Sequence, residues 1–175
     1  MRLTLCAAFA LGFAVLTGGI ANAQAPSQNP LDVIPEKMPF NVPYGPSITL
    51  KRAEAAIQAA VDEATKRGWA LNVAVVGPTG DLLAFERMDG AQFASIAVAQ
   101  HKARTAARYR RETRVFEDTV QKGFTYLLSL DDIIASRGGI PLIEDGKLIG
   151  AIGCSGGTGS QDEATCKVGA ATINK

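Results

Sequence analysis

Histidine is almost missing from this chain: His101 is the only one in 175 residues. No Ser-His-Asp arrangement is evident around it, so covalent hydrolytic chemistry of that type is set aside. Cysteine is scarce too. Cys6 sits in an apolar N-terminal run, which leaves Cys154 and Cys166. The histidine lies far from both in sequence, so this pair does not read as a metal site. Neither sign of charge is in excess, with 18 basic and 17 acidic residues. That balance gives no reason to expect a nucleic-acid partner. Beyond the N-terminal run no apolar stretch is long enough to span a bilayer, so the mature chain is expected to be soluble, with no membrane span.

The first 23 residues have the form of a secretory signal. Arg2 supplies the positive end, "LTLCAAFALGFAVL" a short apolar core, and "ANA" a small-residue cleavage site before Gln24. Cleavage near Ala23 implies a periplasmic or secreted protein. It removes Arg2, which takes the 18 basic residues to 17, equal to the 17 acidic. In an oxidising compartment Cys154 and Cys166 are candidates for a disulfide; the alternative is two buried free thiols.

Residues 24–46 carry six of the eight prolines and cannot be a helix. Ile34, Met38, Phe40, Val42 and Tyr44 make the stretch too apolar for a plain linker. It reads as an extended arm laid along its own domain or a neighbouring subunit. One domain, 47–175, follows. In "ITLKRAEAAIQAAVDEATKRG", Leu50, Ala53, Ile57, Val61 and Ala64 recur at helical spacing, and Gly68 suits the cap. "ALNVAVVG" and "DLLAFERM" read as a hairpin turned at Pro78-Thr79-Gly80. A helix is expected from about Phe93 to Glu112, then a shorter, irregular helical region. A second hairpin turns at Asp145-Gly146. The last helix opens at "SQDE", where Ser160 and Glu163 have capping-box spacing. The fold class is therefore α/β (α+β): a central antiparallel sheet built from two hairpins and flanked by helices.

On the second long helix, residues advance by about 100° each. Ile96, Ala99, Ala103, Ala106 and Ala107 gather on one side, the best core-facing stripe. His101 points the other way, among Ala94, Ala97, Val98, Arg104, Thr105 and Arg108. Solvent alone does not require those small residues. They suggest close approach by another helix, as at a subunit contact, or by a flat ligand. Lys102, Arg104, Arg108, Arg110, Arg111 and Arg114 read first as a solvated face. The sharper alternative pairs some of them with carboxylates of a bound molecule, which the arginine fork does well.

"ERMDGAQFASIAVAQHKARTAA" together with "GGIPLIEDGKLIGAIGCSGGTGSQDEATCKVGAATI" resembles the GlcG/HbpS family, which includes haem-binding proteins and the C-terminal domain of PduO-type proteins. The likeness runs through Met88-Asp89-Gly90-Ala91, Ser95, Lys102-Ala103, Gly138-Gly139-Ile140-Pro141 and Gly150 to Gly157, over roughly residues 48–174. It implies a PduO C-terminal-like fold, assembly into homo-oligomers, often octamers, and haem or another tetrapyrrole as cofactor, with a role in storage, sensing or degradation. Haem needs an iron ligand, an apolar slot and cations for its propionates. His101 with Ala94, Ala97 and Val98, flanked by Arg104 and Arg108, can supply all three at a subunit boundary. Met38 and Met88 are weaker candidate ligands, and Tyr109 and Tyr126 weaker still.

A different class of function stays open. Arg87, Asp89, Asp162 and Glu163, with the glycine-rich loop "GCSGGTGSQDE", can line a small-molecule site in an enzyme or accessory subunit. An ordinary ion pair is the plainer account of such residues. The loop lacks the Lys-Ser/Thr ending of a phosphate-binding loop, and Asp162 and Glu163 oppose an anion at that helix start.

Overall fold

The computed structural model describes residues 33–174. The signal-like segment and the first part of the arm lie outside the described residues. Helix α1 (Leu50–Lys66) buries Ala53, Ala56, Ile57, Ala60, Val61 and Ala64. Gly68 follows it with φ +69, the left-handed turn that ends a helix without cost to glycine. Leu50, expected in that stripe, is instead 53% exposed. It is the first helical residue and borders an open groove shared with Leu83 and Phe85.

Strands β1 (Asn72–Val76) and β2 (Leu82–Arg87) form the first hairpin, with Gly80 at φ +92 in the turn. Helix α2 (Ala94–Tyr109) ends three residues earlier than the sequence pattern suggests, at Arg110 in the left-handed region. The irregular region resolves into helix α3 (Arg114–Gln121) and a 3-10 turn at Thr125–Ser129. Strands β3 (Gly139–Glu144) and β4 (Lys147–Ser155) form the second hairpin, where Asp145 and Gly146 both take positive φ, 49 and 72. Helix α4 (Gly159–Ala171) closes the domain. Its capping box is Thr158 with Gln161, not Ser160 with Glu163. The extended residue before the helix is Thr158, so the reciprocal pair shifts two positions toward the N-terminus.

The sheet order is β2-β1-β4-β3, antiparallel throughout. Alternate side chains on β1 serve two cores. Val73 and Val75 join α1, α4, Ile152 and Cys154 on one face, while Ala74 and Val76 meet α2 on the other. Burial on both faces explains why "NVAVV" reads as an unbroken apolar run. A disulfide joins Cys154 to Cys166 across the first face, with Cα atoms 5.6 Å apart, tying β4 to α4.

Alanine and glycine set how closely α2 lies on the sheet. Ala99, Ala103, Ala106 and Ala107 are fully buried. A Cβ on Gly153 would lie 2.2 Å from the Ala99 carbonyl oxygen, and one on Gly139 2.3 Å from that of Lys102. Two glycines thus let helix backbone rest on strand backbone. The end of the arm belongs to this same unit, which begins at Met38. Leu148 N–H donates to Pro43 O, and Gly45 N–H and Ile48 N–H donate to Leu148 O and Ile149 O, each at 2.8 Å. The arm's last residues therefore lie along their own domain.

Candidate functional site

The outer face of α2 is partly roofed by the chain that follows the 3-10 turn. Thr105 Oγ1 donates to Asp132 O at 2.5 Å and accepts from Ile134 N–H at 3.2 Å. Tyr109 donates its hydroxyl to Asp131 O at 2.6 Å. Asp132 takes a left-handed backbone, φ +58, a conformation its short polar side chain tolerates. Its carboxylate lies between two guanidiniums one helical turn apart: Arg104 Nε donates to Oδ1 at 3.0 Å, and Arg108 Nη1 pairs with Oδ2. Arg108 also donates from Nε to Thr79 O at 2.9 Å. Thr105, expected on the open face, is fully buried, because Asp132 and Ile134 sit on its hydroxyl.

His101 is half-buried under this roof. Its Nε2 is enclosed and has no hydrogen-bond partner among the described residues, while the Asp132 backbone hydrogen-bonds the ring. Nε2 is thus the nitrogen left over. Burial, reinforced by the charge of Arg104, holds the imidazole below its ordinary pKa against the opposing pull of Asp132. A neutral ring with an unengaged nitrogen is the state in which histidine binds a metal. Ala94 and Ala97 remain exposed and Val98 half-buried beside it. For Asp132, burial works upward, but Arg104 and Arg108 outweigh it and hold the carboxyl below the usual range.

The remaining basic residues do not form an open cationic face. Arg111 stacks over Phe40 with its guanidinium carbon 3.4 Å from the ring centroid; Arg110 lies over Tyr44 at 5.4 Å and donates to Val42 O at 3.1 Å. Tyr44 donates to Arg108 O at 2.9 Å. Arginines and arm aromatics together clamp the arm to the end of α2. Lys102, read as part of the solvated run, is instead 1% exposed and paired with Asp162 at 2.7 Å. It lies three residues after Ala99 and four before Ala106, on the edge of the core stripe. That spacing was the available signal for a buried lysine.

Asp162 accepts from Gly157 N–H at 3.0 Å as well. Burial raises its pKa, against the opposing charge of Lys102. Glu163 meets Lys167 at 2.8 Å, Arg114 at 3.6 Å and Arg137 at 3.7 Å. These acids are held in internal pairs, and Thr158 N–H in the glycine-rich loop is taken by Gln161 Oε1 at 2.8 Å. Arg87 and Asp89 stand at the exposed end of the edge strand, where Arg87 lies over Phe93. Met88 packs on the α1/α4 side of the sheet and accepts from Leu71 N–H through Sδ at 3.4 Å. The four residues of the small-molecule alternative are thus divided between an open strand end and an ion-pair cluster. Met38 and Tyr126 are exposed, and Tyr109 packs edge-on to Phe116. Asp132 carried no signal in the sequence, because its partners lie 24 and 28 residues upstream.

Residues 48–171 match the family described as haem-degrading, HbpS-like proteins. The chain belongs to the HbpS-like family. It is 40% identical over 108 residues to protein GlcG of Escherichia coli strain K12, covering 62% of this chain and 81% of GlcG. The crystal structure of HbpS superposes with a TM-score of 0.70 at 30% identity, over 79% of this chain and 99% of that one. A PduOC:heme complex superposes with a TM-score of 0.67 at 29% identity, over 73% and 96%. The helix-flanked antiparallel sheet is therefore the family's fold, as the sequence motifs imply.

Proposed function

We propose that this HbpS-like protein binds haem on the outer face of α2, with His101 as the iron ligand. The observation that carries the reading is the enclosed Nε2 of the chain's only histidine, which has no partner among the described residues. A buried polar atom without a partner costs stability and calls for an explanation, and an iron bond would supply one. The donor set suits the group. The imidazole is held toward its neutral form, Ala94, Ala97 and Val98 offer small apolar contact, and Arg104 and Arg108 offer guanidiniums for propionates. A family member solved with heme bound adds to this.

Haem, when bound, supplies an iron centre whose chemistry depends on its axial ligand and on the polarity around it. The chain's own part is to present the imidazole, hold the carboxylates and limit water. We propose further that the protein is exported, on the pattern of residues 1–23, and that it self-associates. The exposed small residues Ala94 and Ala97 support a closely approaching second subunit. The test is a haemin titration of the purified protein followed by absorbance. A saturable Soret shift is expected, and its absence overturns the reading.

A further inference from the structure

We infer that the segment around Asp132 is a displaceable cover over His101, its carboxylate standing between Arg104 and Arg108 in the place of a ligand carboxylate. Two observations carry this. First, the segment is held to α2 by polar contacts: the Asp132 carboxylate to two part-exposed arginines, the Asp132 backbone to the His101 ring, the Asp131 carbonyl to the Tyr109 hydroxyl, and main-chain groups to the buried Thr105 hydroxyl. Second, the 3-10 turn that leads into the segment buries none of its residues, and Tyr126, Leu128 and Leu130 are 48%, 58% and 42% exposed. A stretch with little apolar burial opens at low free-energy cost. What it covers is the His101 ring, which the Asp132 backbone hydrogen-bonds and whose Nε2 has no partner among the described residues.

Each of the two arginines gives one N–H to the same internal carboxylate. An incoming carboxylate that takes the Arg104 Nε and Arg108 Nη1 donors displaces Asp132, and in doing so it lifts the segment from His101. The cover is therefore also a filter: it yields to a ligand that carries a carboxylate and resists one that does not. That the ligand's carboxylate is a haem propionate rests on the haem-binding reading. The cover itself does not.

The single histidine makes the cover measurable without haem. Diethyl pyrocarbonate carbethoxylates imidazole, and in this chain the ultraviolet signal of carbethoxyhistidine reports His101 alone. Asp132→Asn keeps the left-handed backbone tolerable and removes the charge. Thr105→Val keeps the buried shape and removes two bonds to the segment. Both variants should be modified faster than wild type by about tenfold, the scale of losing a pair of surface polar interactions, with the helical circular dichroism unchanged. Rates within a factor of two of wild type in both variants would overturn the inference, as would wild-type modification as fast as free imidazole. Haemin and its dimethyl ester supply the second arm. Both ligands need the cover open, so Asp132→Asn should tighten haemin and the ester alike, whereas Arg108→Gln should erase the wild-type preference for haemin over the ester; a preference that survives Arg108→Gln would refute the carboxylate role. Faster carbethoxylation with no haemin binding by any variant would keep the cover and reject haem.

Discussion

Gly153→Ala tests whether the glycines of β4 place α2, and with it His101. The new Cβ would lie 2.2 Å from Ala99 O and 2.5 Å from Ala103 N, both backbone atoms of α2. Ordinary contact begins near 3.4 Å. No rotamer change relieves the clash, so the helix must lift by about 1.2 Å or the strand must bend. Lifting it separates the Ala99–Ala103–Ala106 stripe from Ala74, Val76 and Ala151, a core too small to refill the gap. Overpacking of this kind costs about 1–3 kcal/mol. For a domain of this size that lowers Tm by roughly 2–4 °C per kcal/mol. Gly68→Ala is the contrast, since nothing lies within 4 Å of its Cβ and only φ +69 opposes the change. It should cost about 1 kcal/mol, the price of a left-handed alanine. Thermal unfolding followed by circular dichroism, with His101 carbethoxylation alongside, separates the two. Gly153→Ala should melt lower than Gly68→Ala and alter the histidine rate, while Gly68→Ala leaves that rate alone. Equal melting temperatures and equal histidine rates would refute the close-approach account.

Reducing the Cys154–Cys166 bond, which spans 12 residues, should cost about 3 kcal/mol by loop-closure entropy, read as a shift in urea midpoint with and without dithiothreitol. Lys102→Met should cost about 3–5 kcal/mol near neutral pH, because it strands the Asp162 carboxylate in the core. Because burial already raises that carboxyl, the folded state holds its proton more tightly than the unfolded chain. The variant's stability should therefore recover as pH falls toward the unfolded value of about 3.9, and a urea series across pH checks the sign. Glu117 behaves oppositely: burial works upward, but hydrogen bonds and charge from Arg137 outweigh it and depress the carboxyl. Its stabilisation is present above the unfolded carboxylate pKa and lost as pH falls through the folded one, so Glu117→Gln should flatten that acid limb. Tyr44→Phe removes the bond to Arg108 O and should loosen the arm at a cost of about 0.5–1 kcal/mol, visible as faster proteolysis before residue 47.

The elements were legible where local chemistry decides them. The hairpin turns at Gly80 and Asp145-Gly146, the α1 stripe after Leu50 and the alanine stripe of α2 all follow from spacing and from residues that tolerate positive φ. The orientation of His101 away from the sheet followed from the same arithmetic. Legibility ended where distant residues meet. A helical wheel cannot show that residue 132 returns to cover Thr105, or that Arg104 and Arg108 are already paired. Nor can it show that Phe40 and Tyr44 occupy Arg111 and Arg110, or that Lys102 finds Asp162 sixty residues on. Each of those partnerships is set by tertiary closure, which also turned an apparent cationic face into internal pairs.

The proposed ligand of the haem iron is His101. Haemin titrated into the wild-type protein and into His101→Ala, compared by Soret position and by the spin state in electron paramagnetic resonance, tests that assignment directly. A saturable wild-type spectrum that shifts or is lost in the variant, with the fold intact by circular dichroism, is the expected result. Identical spectra and identical affinities in the two proteins would contradict it.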